Sequence, residues 1–214
     1  MSRVKPRRRY DSSLRKEHAG QTRMRILDAA QALFAERGYA AATIESIAEA
    51  ANVAVDTVYS SFGAKRGVLK ALLDVRVGGD DAPLEVLDRS GPQTVRRDTN
   101  QRRQLITFAR DVTAIMERVR PVDDIVRGAA AVDAEVAALR AATQESRYAS
   151  MRTFISWVAA NGPFRDGISQ EEAAAIVWTL AGPDVHRLLR TERGWSHERH
   201  VAWLADTLTR TLLV

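Results

Sequence analysis

Residues 39–73 read YAAATIESIAEAANVAVDTVYSSFGAKRGVLKALL, and this stretch decides the fold. Its apolar spacing predicts two short helices joined by a tight corner, with another helix after a short break. The first covers about 44–51 with Thr43 as its N-cap, and the second covers about 54–60. Asn52 stands in the corner, where the backbone must be left-handed and where Asn is tolerated second only to Gly. The layout predicts a helix-turn-helix, whose second helix enters the major groove of DNA.

Helical periodicity continues on both sides of this stretch. A first helix is predicted over about 22–37, with Thr22 as its N-cap and Gly38 as its stop, and a fourth over about 64–76. Strand signals are missing from the remainder. Further helices are predicted over about 101–119, 121–131, 134–160, 170–190 with a kink at Gly182-Pro183, and 196–213. The fold class is therefore all-α: an N-terminal three-helix helix-turn-helix domain joined by helix 4 to a C-terminal helical bundle, about nine helices in total.

The positive charge is concentrated at the beginning of the chain. Residues 1–75 hold 13 Lys and Arg against 8 Asp and Glu, which accounts for the whole net charge of +5. Most of that excess precedes residue 21, in a segment without an apolar face. We therefore predict a flexible basic arm over 1–19, a DNA-binding domain over 20–63, and a helical ligand-binding and dimerisation domain over 64–214.

Several classes of protein are disfavoured by composition. There is no Cys, so disulfides, thiolate metal sites and cysteine nucleophiles are excluded, which fits a cytoplasmic protein. No apolar run is long enough to span a bilayer. His197 and His200 share a helix face with Glu198 nearby, but a metal site needs more ligands at the right spacing. No nucleophile elbow or phosphate loop occurs. We expect no cofactor, no metal, no membrane partner and no enzyme activity.

The stretch over 22–73 resembles the TetR family of transcriptional regulators. The resemblance rests on TRMRILDAAQALFAERGY, on IESIAEAANV and on DTVYSSFGAKRGVL, in which Thr57, Val58, Tyr59, Phe62 and Lys65 keep the family's order. It implies a ligand-responsive, sequence-specific DNA-binding transcriptional regulator, by family habit a repressor, that binds a palindromic operator in double-stranded DNA as a dimer. The alternative is a helical enzyme or protein-interaction module that keeps the fold without sequence-specific DNA binding.

Departures from the family pattern lie at the ends of the recognition helix. Ala54 replaces a common Ser or Thr cap, and Ser61 replaces a common His. Asp56 is repelled by phosphates, and we assign it to the helix dipole rather than to a cytosine amino group. The candidate DNA-binding residues comprise a phosphate-positioning set, a base-reading set and the arm: Thr43, Tyr59, Ser61 and Lys65; Val55, Asp56, Thr57 and Ser60; and Arg7, Arg8 and Arg9, which would enter a minor groove.

The resemblance also implies a homodimer interface and an effector site. The interface would be formed by about 170–190 and 196–213, where Val201, Leu204, Leu208 and Leu212 form an apolar stripe and Trp203 lies off it. One ordinary intramolecular core is the alternative use of that stripe. The central helices would enclose a small apolar effector, since Met and aromatic side chains suit an adaptable cavity. The candidates are Phe108, Met116, Met151, Phe154, Trp157 and Trp178, each of which could instead be plain core.

Overall fold

The described chain is built of helices. The structure, a computed structural model, describes residues 12–213 and the side chains of residues 17–213. No strand occurs within these residues, which confirms the predicted all-α class. The helices are α1 (Ser12–Ala41), α2 (Ile44–Ala50), α3 (Val55–Phe62), α4 (Lys65–Gly78), α5 (Ser90–Arg97), α6 (Gln101–Ala130), α7 (Ala134–Ala159), α8 (Gln170–Leu180), α9 (Pro183–His186) and α10 (His197–Leu212). A 3₁₀ turn (Val86–Asp88) precedes α5, and a π-helical turn (Arg187–Glu192) continues α9.

The first helix is longer than the sequence predicts. It begins at Ser12 rather than at Thr22, so the predicted flexible arm is helical from Ser12 onward. A helix nucleated by a packed segment extends cheaply into neighbouring residues, even where these lack an apolar face. The predicted stop is confirmed, because Gly38 leaves the helical conformation at φ +79°. Residues 1–11, with Arg7, Arg8 and Arg9, lie outside the described residues.

The middle of the chain departs from prediction at two points. The separate helices predicted over 101–119 and 121–131 form one helix, α6, with Pro121 inside it. Proline removes one backbone hydrogen bond there, but Val119 and Val122 on either side are both buried in the core, and this packing holds the helix continuous. The other departure is α5, which the sequence does not predict because its residues are polar or small except for Val95, the one residue that it buries.

The helix-turn-helix has the predicted construction. Ile44, Ile47 and Ala48 turn one face of α2 into the core. Asn52 adopts φ +53°, the left-handed conformation expected in the corner. Thr43 caps α2, since its Oγ1 accepts from the Ser46 backbone N–H at 3.1 Å. Ser169 and Ser196 cap α8 and α10 in the same way.

Helix α4 joins the two halves of the molecule. It packs on α1 on one side and on α6 and α7 on the other. Arg76, near its end, pairs with Asp28 of α1 at 2.7 Å, and Arg118 of α6 donates to the Arg76 carbonyl at 3.2 Å. A displacement of α4 is therefore transmitted to both halves. Within residues 12–213, no helix combines the length and the apolar character needed to cross a bilayer.

Candidate nucleic-acid interface and ligand cavity

Helix α3 is anchored by one side and exposes the other. Val58 is fully buried at 0% exposure, which fixes the rotation of the helix about its axis. Tyr59 is 46% exposed, and Asp56, Ser60 and Ser61 are exposed as well. Val55 and Thr57 are half-buried at the edge of this surface. The predicted base-reading residues therefore lie on or beside one solvent-facing side of a short helix.

The beginning of α3 lacks the cap that related sequences often have there. Ala54 is the N-cap residue and makes no side-chain hydrogen bond to the free amides. Asp56 stands in the first turn, where a carboxylate complements the positive end of the helix dipole. At the other end, the Ser60 hydroxyl donates to the Thr57 carbonyl at 3.1 Å, so its oxygen is left free to accept.

Two glycines that sequence reasoning missed set the corner between α3 and α4. Gly63 has φ +73° and ψ −52°, and the Ala64 N–H donates to the Phe62 carbonyl at 2.8 Å, which is the geometry of a γ-turn. The same carbonyl lies so close to Gly67 that a Cβ there would clash with backbone. The position of α3 relative to α4 therefore depends on the absence of a side chain at both sites. The only sequence signal was the spacing of the two glycines around AKR.

Lys65 has a different role from the one predicted. Its ammonium donates to the backbone carbonyls of Tyr39 at 2.7 Å and Ala42 at 2.9 Å, and lies 4.4 Å from the centre of the Tyr39 ring. A third contact reaches the Ala40 carbonyl at 3.3 Å. An ammonium has three donors, and all three are directed to the end of α1. The prediction that Lys65 contacts phosphate is therefore wrong for this structure: the residue caps α1.

Thr43 is exposed at the start of α2, as a phosphate contact requires. Its oxygen is already an acceptor for the Ser46 amide, but its hydroxyl hydrogen can still be donated. The nearby Glu45 carboxyl has a lowered pKa, because its own backbone N–H and then the Thr43 hydroxyl stabilise its charged form. A phosphate at this helix end would compete with Glu45 for the hydroxyl.

A cavity of about 680 Å³ lies between α4, α6 and α7 and is covered by the segment 80–86. Its size is that of pockets for drug-sized molecules, about 300–1,000 Å³. Two of the six predicted ligand residues, Met116 and Met151, line it. Val112, Ile115 and Val119 extend the apolar wall along α6. The cavity also borders α4 from Lys70 to Gly78, so its contents touch the helix that reaches the DNA-binding domain.

The other four predicted ligand residues do not line this cavity. Phe108 and Phe154 are buried and stack on each other, with ring centres 4.1 Å apart. Trp157 lies 5.9 Å from the Arg96 guanidinium, and Trp178 packs edge-on against Tyr148. Aromatic pairs satisfy each other within a helical core, so their presence in the sequence did not locate the cavity.

Two ionisable side chains that sequence reasoning missed lie in the cavity wall. Asp123 of α6 is 8% exposed, and burial raises the pKa of its carboxyl. Burial also lowers the pKa of the Arg147 guanidinium to about 10. Arg147 donates to the Trp178 carbonyl at 2.8 Å and to Gln144 at 3.3 Å. The available sequence signal for Asp123 was its place between Val119 and Val126 on an otherwise apolar helix face.

The apolar stripe of the last helix serves the core of one chain. Leu204, Leu208 and Leu212 are each 0% exposed without any partner chain. Trp203 is half-buried and packs edge-on against Trp195, with ring centres 5.9 Å apart. The three leucines therefore belong to the intramolecular core, which was the alternative use of the stripe. Trp203 remains half-buried, and the interface over 170–190 and 196–213 stays a prediction.

Histidines form a buried cluster where α6, α9 and α10 meet. His186 is 3% and His200 is 2% exposed, with ring centres 5.2 Å apart. Burial lowers the pKa of both, that of His186 to about 4. Thr113 bonds the Nδ1 of His200 at 3.2 Å. Nowhere in the described part of the chain do three or more His, Cys, Asp or Glu side chains form a group able to hold a metal.

The exposed helix α3, held by a left-handed corner and attached to helices that enclose a cavity, defines a helix-turn-helix protein with a separate helical half. Residues 26–72 match the family model described as bacterial regulatory proteins, tetR family. Over these residues the match confirms the resemblance to the TetR family seen in the sequence.

Similar proteins agree with this assignment. The chain is 48% identical over 52 residues to the HTH-type transcriptional regulator YvkB of Bacillus subtilis. The matched stretch covers 24% of this chain and 28% of YvkB. The chain is also 42% identical over 59 residues to the HTH-type transcriptional regulator TtgR of Pseudomonas putida, which is 28% of each chain. The matches thus span about 28% of the length of these curated relatives.

The whole fold is also similar to a solved structure. NalD of Pseudomonas aeruginosa, the secondary repressor of the MexAB-OprM multidrug efflux pump, superposes with a TM-score of 0.65 over 92% of this chain and 98% of NalD. The two share 20% sequence identity, so this likeness shows the fold alone.

Proposed function

We propose that this chain is a ligand-responsive transcriptional repressor that binds a palindromic operator in double-stranded DNA as a homodimer. The observation that carries the proposal is the exposed outer side of α3, with Val58 buried beneath it and Tyr59, Ser60 and Asp56 facing solvent. A helix presented in this way has the size and the polar surface that fit a major groove. Such a protein acts in the cytoplasm on chromosomal DNA and catalyses no reaction.

The proposed contacts with DNA fall into two groups: contacts to phosphates, which position the protein, and contacts to base edges, which read the sequence. Thr43, Tyr59 and Ser61 would donate to phosphates, because each carries a hydroxyl on the exposed surface of α2 or α3. Val55 would pack on a thymine methyl group, and Thr57 would donate to or accept from base edges. Ser60 would accept from a base edge, because its hydroxyl hydrogen is donated to the Thr57 carbonyl. Asp56 remains with the helix dipole. Lys65 is removed from the positioning set for the reason given above.

Dimerisation follows from the geometry of operators. One recognition helix reads few base pairs, so two copies must reach half-sites about one or more helical turns apart. We propose that α8 and the face of α10 turned away from the core form the interface, within 170–190 and 196–213. On α8, Ile176, Trp178 and Leu180 are half-buried in the single chain and would be covered by a second copy. Light scattering should give twice the mass of one chain.

Ligand response follows from the place of α4. An occupant of the cavity touches this helix between Lys70 and Gly78, whereas the start of the helix holds the end of α1 through Lys65 and the end of α3 through Gly67. A ligand that fits one position of α4 better than another shifts the spacing of the two recognition helices. The repressor assignment draws on NalD, which is described as a repressor.

The test uses two matched tyrosine variants and DNA that flanks the protein's own gene. Tyr59→Phe removes an exposed hydroxyl from α3 of each protomer and should weaken operator binding about thirtyfold, because the dimer loses two hydrogen bonds of roughly 1 kcal/mol each. Tyr148→Phe removes a hydroxyl that donates to Glu171 at 2.8 Å, in the other domain, and should leave operator binding unchanged. Equal effects of the two variants, or no retardation of any flanking DNA, would contradict the proposal.

A further inference from the structure

Asp123 is a buried carboxylate without a partner. It is 8% exposed on α6, and no hydrogen bond or ion pair reaches it from residues 17–213. The adjacent Asp124, in contrast, pairs with Arg120 and Arg127, each at 2.7 Å. A buried carboxylate is costly unless a donor or a cation meets it. The unmet group lines the cavity between α4, α6 and α7.

The other charged side chains of the cavity wall are paired or exposed. At its mouth, Lys70 pairs with Asp74, Arg89 with Asp80, and Arg23 with Asp81, at 2.6 to 2.9 Å, and Glu85 faces solvent. Arg147 is the buried cation of the wall, and the Trp178 carbonyl, Gln144 and the Trp178 ring face it, the ring at 4.6 Å. No carboxylate pairs with Arg147, but a carbonyl, an amide oxygen and an aromatic ring meet its guanidinium. No donor within residues 17–213 meets Asp123, so the unmatched group of the wall is the carboxylate.

Charged groups of both signs act on Asp123, and Arg147 of the cavity wall interacts with it as well, since the Asp123 charge raises the pKa of that guanidinium. Arg140 from α7 and Arg127 from α6 favour its ionised form, while Asp184 from α9 and Asp124 from α6 oppose it. Among the described side chains, Arg127 pairs with Asp124 and Asp184 instead, and no ion pair includes Asp123. The apolar surface beside it is supplied by Val119, Met116 and Met151, so the space combines a soft apolar wall with one acidic point.

We propose that the effector is a lipophilic cation, an amine or onium group on an apolar body, and that Asp123 binds its positive charge. The inference deepens the proposed function by naming the chemical class of the effector, and it rests on that function for its regulatory meaning. An apolar body fills the Met- and Val-lined part of the cavity, and the cation neutralises the carboxylate. A neutral ligand leaves Asp123 unmatched, and an anion is repelled by it.

The test compares probes of similar shape and different charge on the full-length protein. Tetraphenylphosphonium is the cation, triphenylphosphine oxide the neutral probe and tetraphenylborate the anion, and their affinities are measured by titration calorimetry. Wild type should bind the cation at least about tenfold more tightly than either of the others, because an ion pair in a partly desolvated site is worth more than about 1.4 kcal/mol. Equal or tighter binding of the neutral probe or of the anion would overturn the proposal.

Two carboxylate variants locate the charge that matters. Asp123→Asn keeps the shape and should weaken phosphonium binding about tenfold while leaving the phosphine oxide within about twofold. Asp74→Asn is the matched control, because Asp74 lines the same cavity but is exposed and paired with Lys70 at 2.6 Å, and it should change neither affinity. Loss of cation binding in Asp74→Asn alone, or in neither variant, would contradict the assignment. If Asp123→Asn fails to fold, the affinities of wild type for the cationic, neutral and anionic probes still test the proposal.

Operator binding separates this inference from the proposed function. Ligand-free Asp123→Asn should retard operator DNA as wild type does, because the residue lies in the other domain. If wild type binds the phosphonium through Asp123 but binds no operator, the proposed function fails and the cation site stands. If it binds operator but shows no preference for the cation, the cation site fails and the repressor assignment stands.

Discussion

Substituting Gly67 by Ala should disturb operator recognition without touching any residue that faces DNA. Gly67 lies in the first turn of α4, and a Cβ there would lie about 1 Å inside the 3.0 Å limit that Cβ atoms keep from other heavy atoms. The atom in the way is the Phe62 carbonyl oxygen, which belongs to the end of α3. Since backbone cannot swing aside as a flexible side chain can, the recognition helix must shift by about 1 Å relative to α4.

The cost can be separated from the intrinsic benefit of replacing a helical glycine. Ala is favoured over Gly within a helix by about 1 kcal/mol, whereas forcing an extra methyl group into a filled site costs about 1–3 kcal/mol. Gly128 is the matched control, because it also lies in a terminal turn of a helix and a Cβ there meets nothing within 4 Å. The free energies of unfolding of Gly67→Ala and Gly128→Ala should therefore differ by about 1–3 kcal/mol.

The effect on DNA binding should exceed the effect on folding. A misplaced α3 weakens several base contacts at once, each worth about 1–3 kcal/mol. Operator affinity of Gly67→Ala, measured by fluorescence anisotropy, should fall at least about tenfold, while Gly128→Ala should bind as wild type does. If Gly67→Ala is as stable as Gly128→Ala and binds operator normally, the close approach of Phe62 does not position the recognition helix, and the reasoning is refuted.

Three further predictions concern other parts of the molecule. Lys65→Met should lower the free energy of unfolding by about 1–2 kcal/mol, because three carbonyls at the end of α1 lose their donor, and it should leave the salt dependence of operator binding unchanged. A smaller salt slope with unchanged stability would mean that Lys65 contacts phosphate after all. His186 is uncharged when folded, with a pKa of about 4 against an ordinary 6.5, so the unfolded chain binds its proton first as pH falls. The His186 contribution should therefore be full above pH 6.5 and decline towards pH 4 by up to about 1.4 kcal/mol per pH unit. His186→Leu should make the decline in denaturant titrations shallower and leave the part that comes from His200; an identical decline in the variant would contradict the assignment. Deleting residues 1–11, which carry Arg7, Arg8 and Arg9 but not α1, should weaken operator binding and reduce the slope of log K against log salt by roughly 0.9 for each phosphate that the arm neutralises; an unchanged slope would remove the arm from the interface.

The helix-turn-helix could be predicted in detail because its signals are local. Periodic apolar residues place α2 and α3, Thr43 is a cap by residue type, and Asn52 stands where a left-handed backbone is required. These features depend on the nearest few residues, so local sequence patterns are enough to predict them. The fold class followed from the same periodicity, and the break at Gly182-Pro183 followed from the chemistry of proline.

The missed features depend on contacts between distant segments. The ammonium of Lys65 reaches carbonyls more than twenty residues earlier in the chain, and no local pattern reveals such a cap. The leucines of α10 show the same spacing whether they pack in one chain or between two, and only the packed structure assigns them to the core. The cavity is the space that side chains leave open between α4, α6 and α7, and its position depends on how these helices pack. The aromatic residues of the sequence therefore could not locate it.

Selection of bound sequences from random DNA tests the central claim most directly, because the protein itself then chooses its operator from all possible sequences. We predict a palindromic consensus with two half-sites about one or more helical turns apart. It further predicts that replacing Ser60 by Ala relaxes the preference at symmetric positions of both half-sites. Recovery of sequences without a consensus, or a consensus that is unchanged when the outer side of α3 is altered, would contradict it.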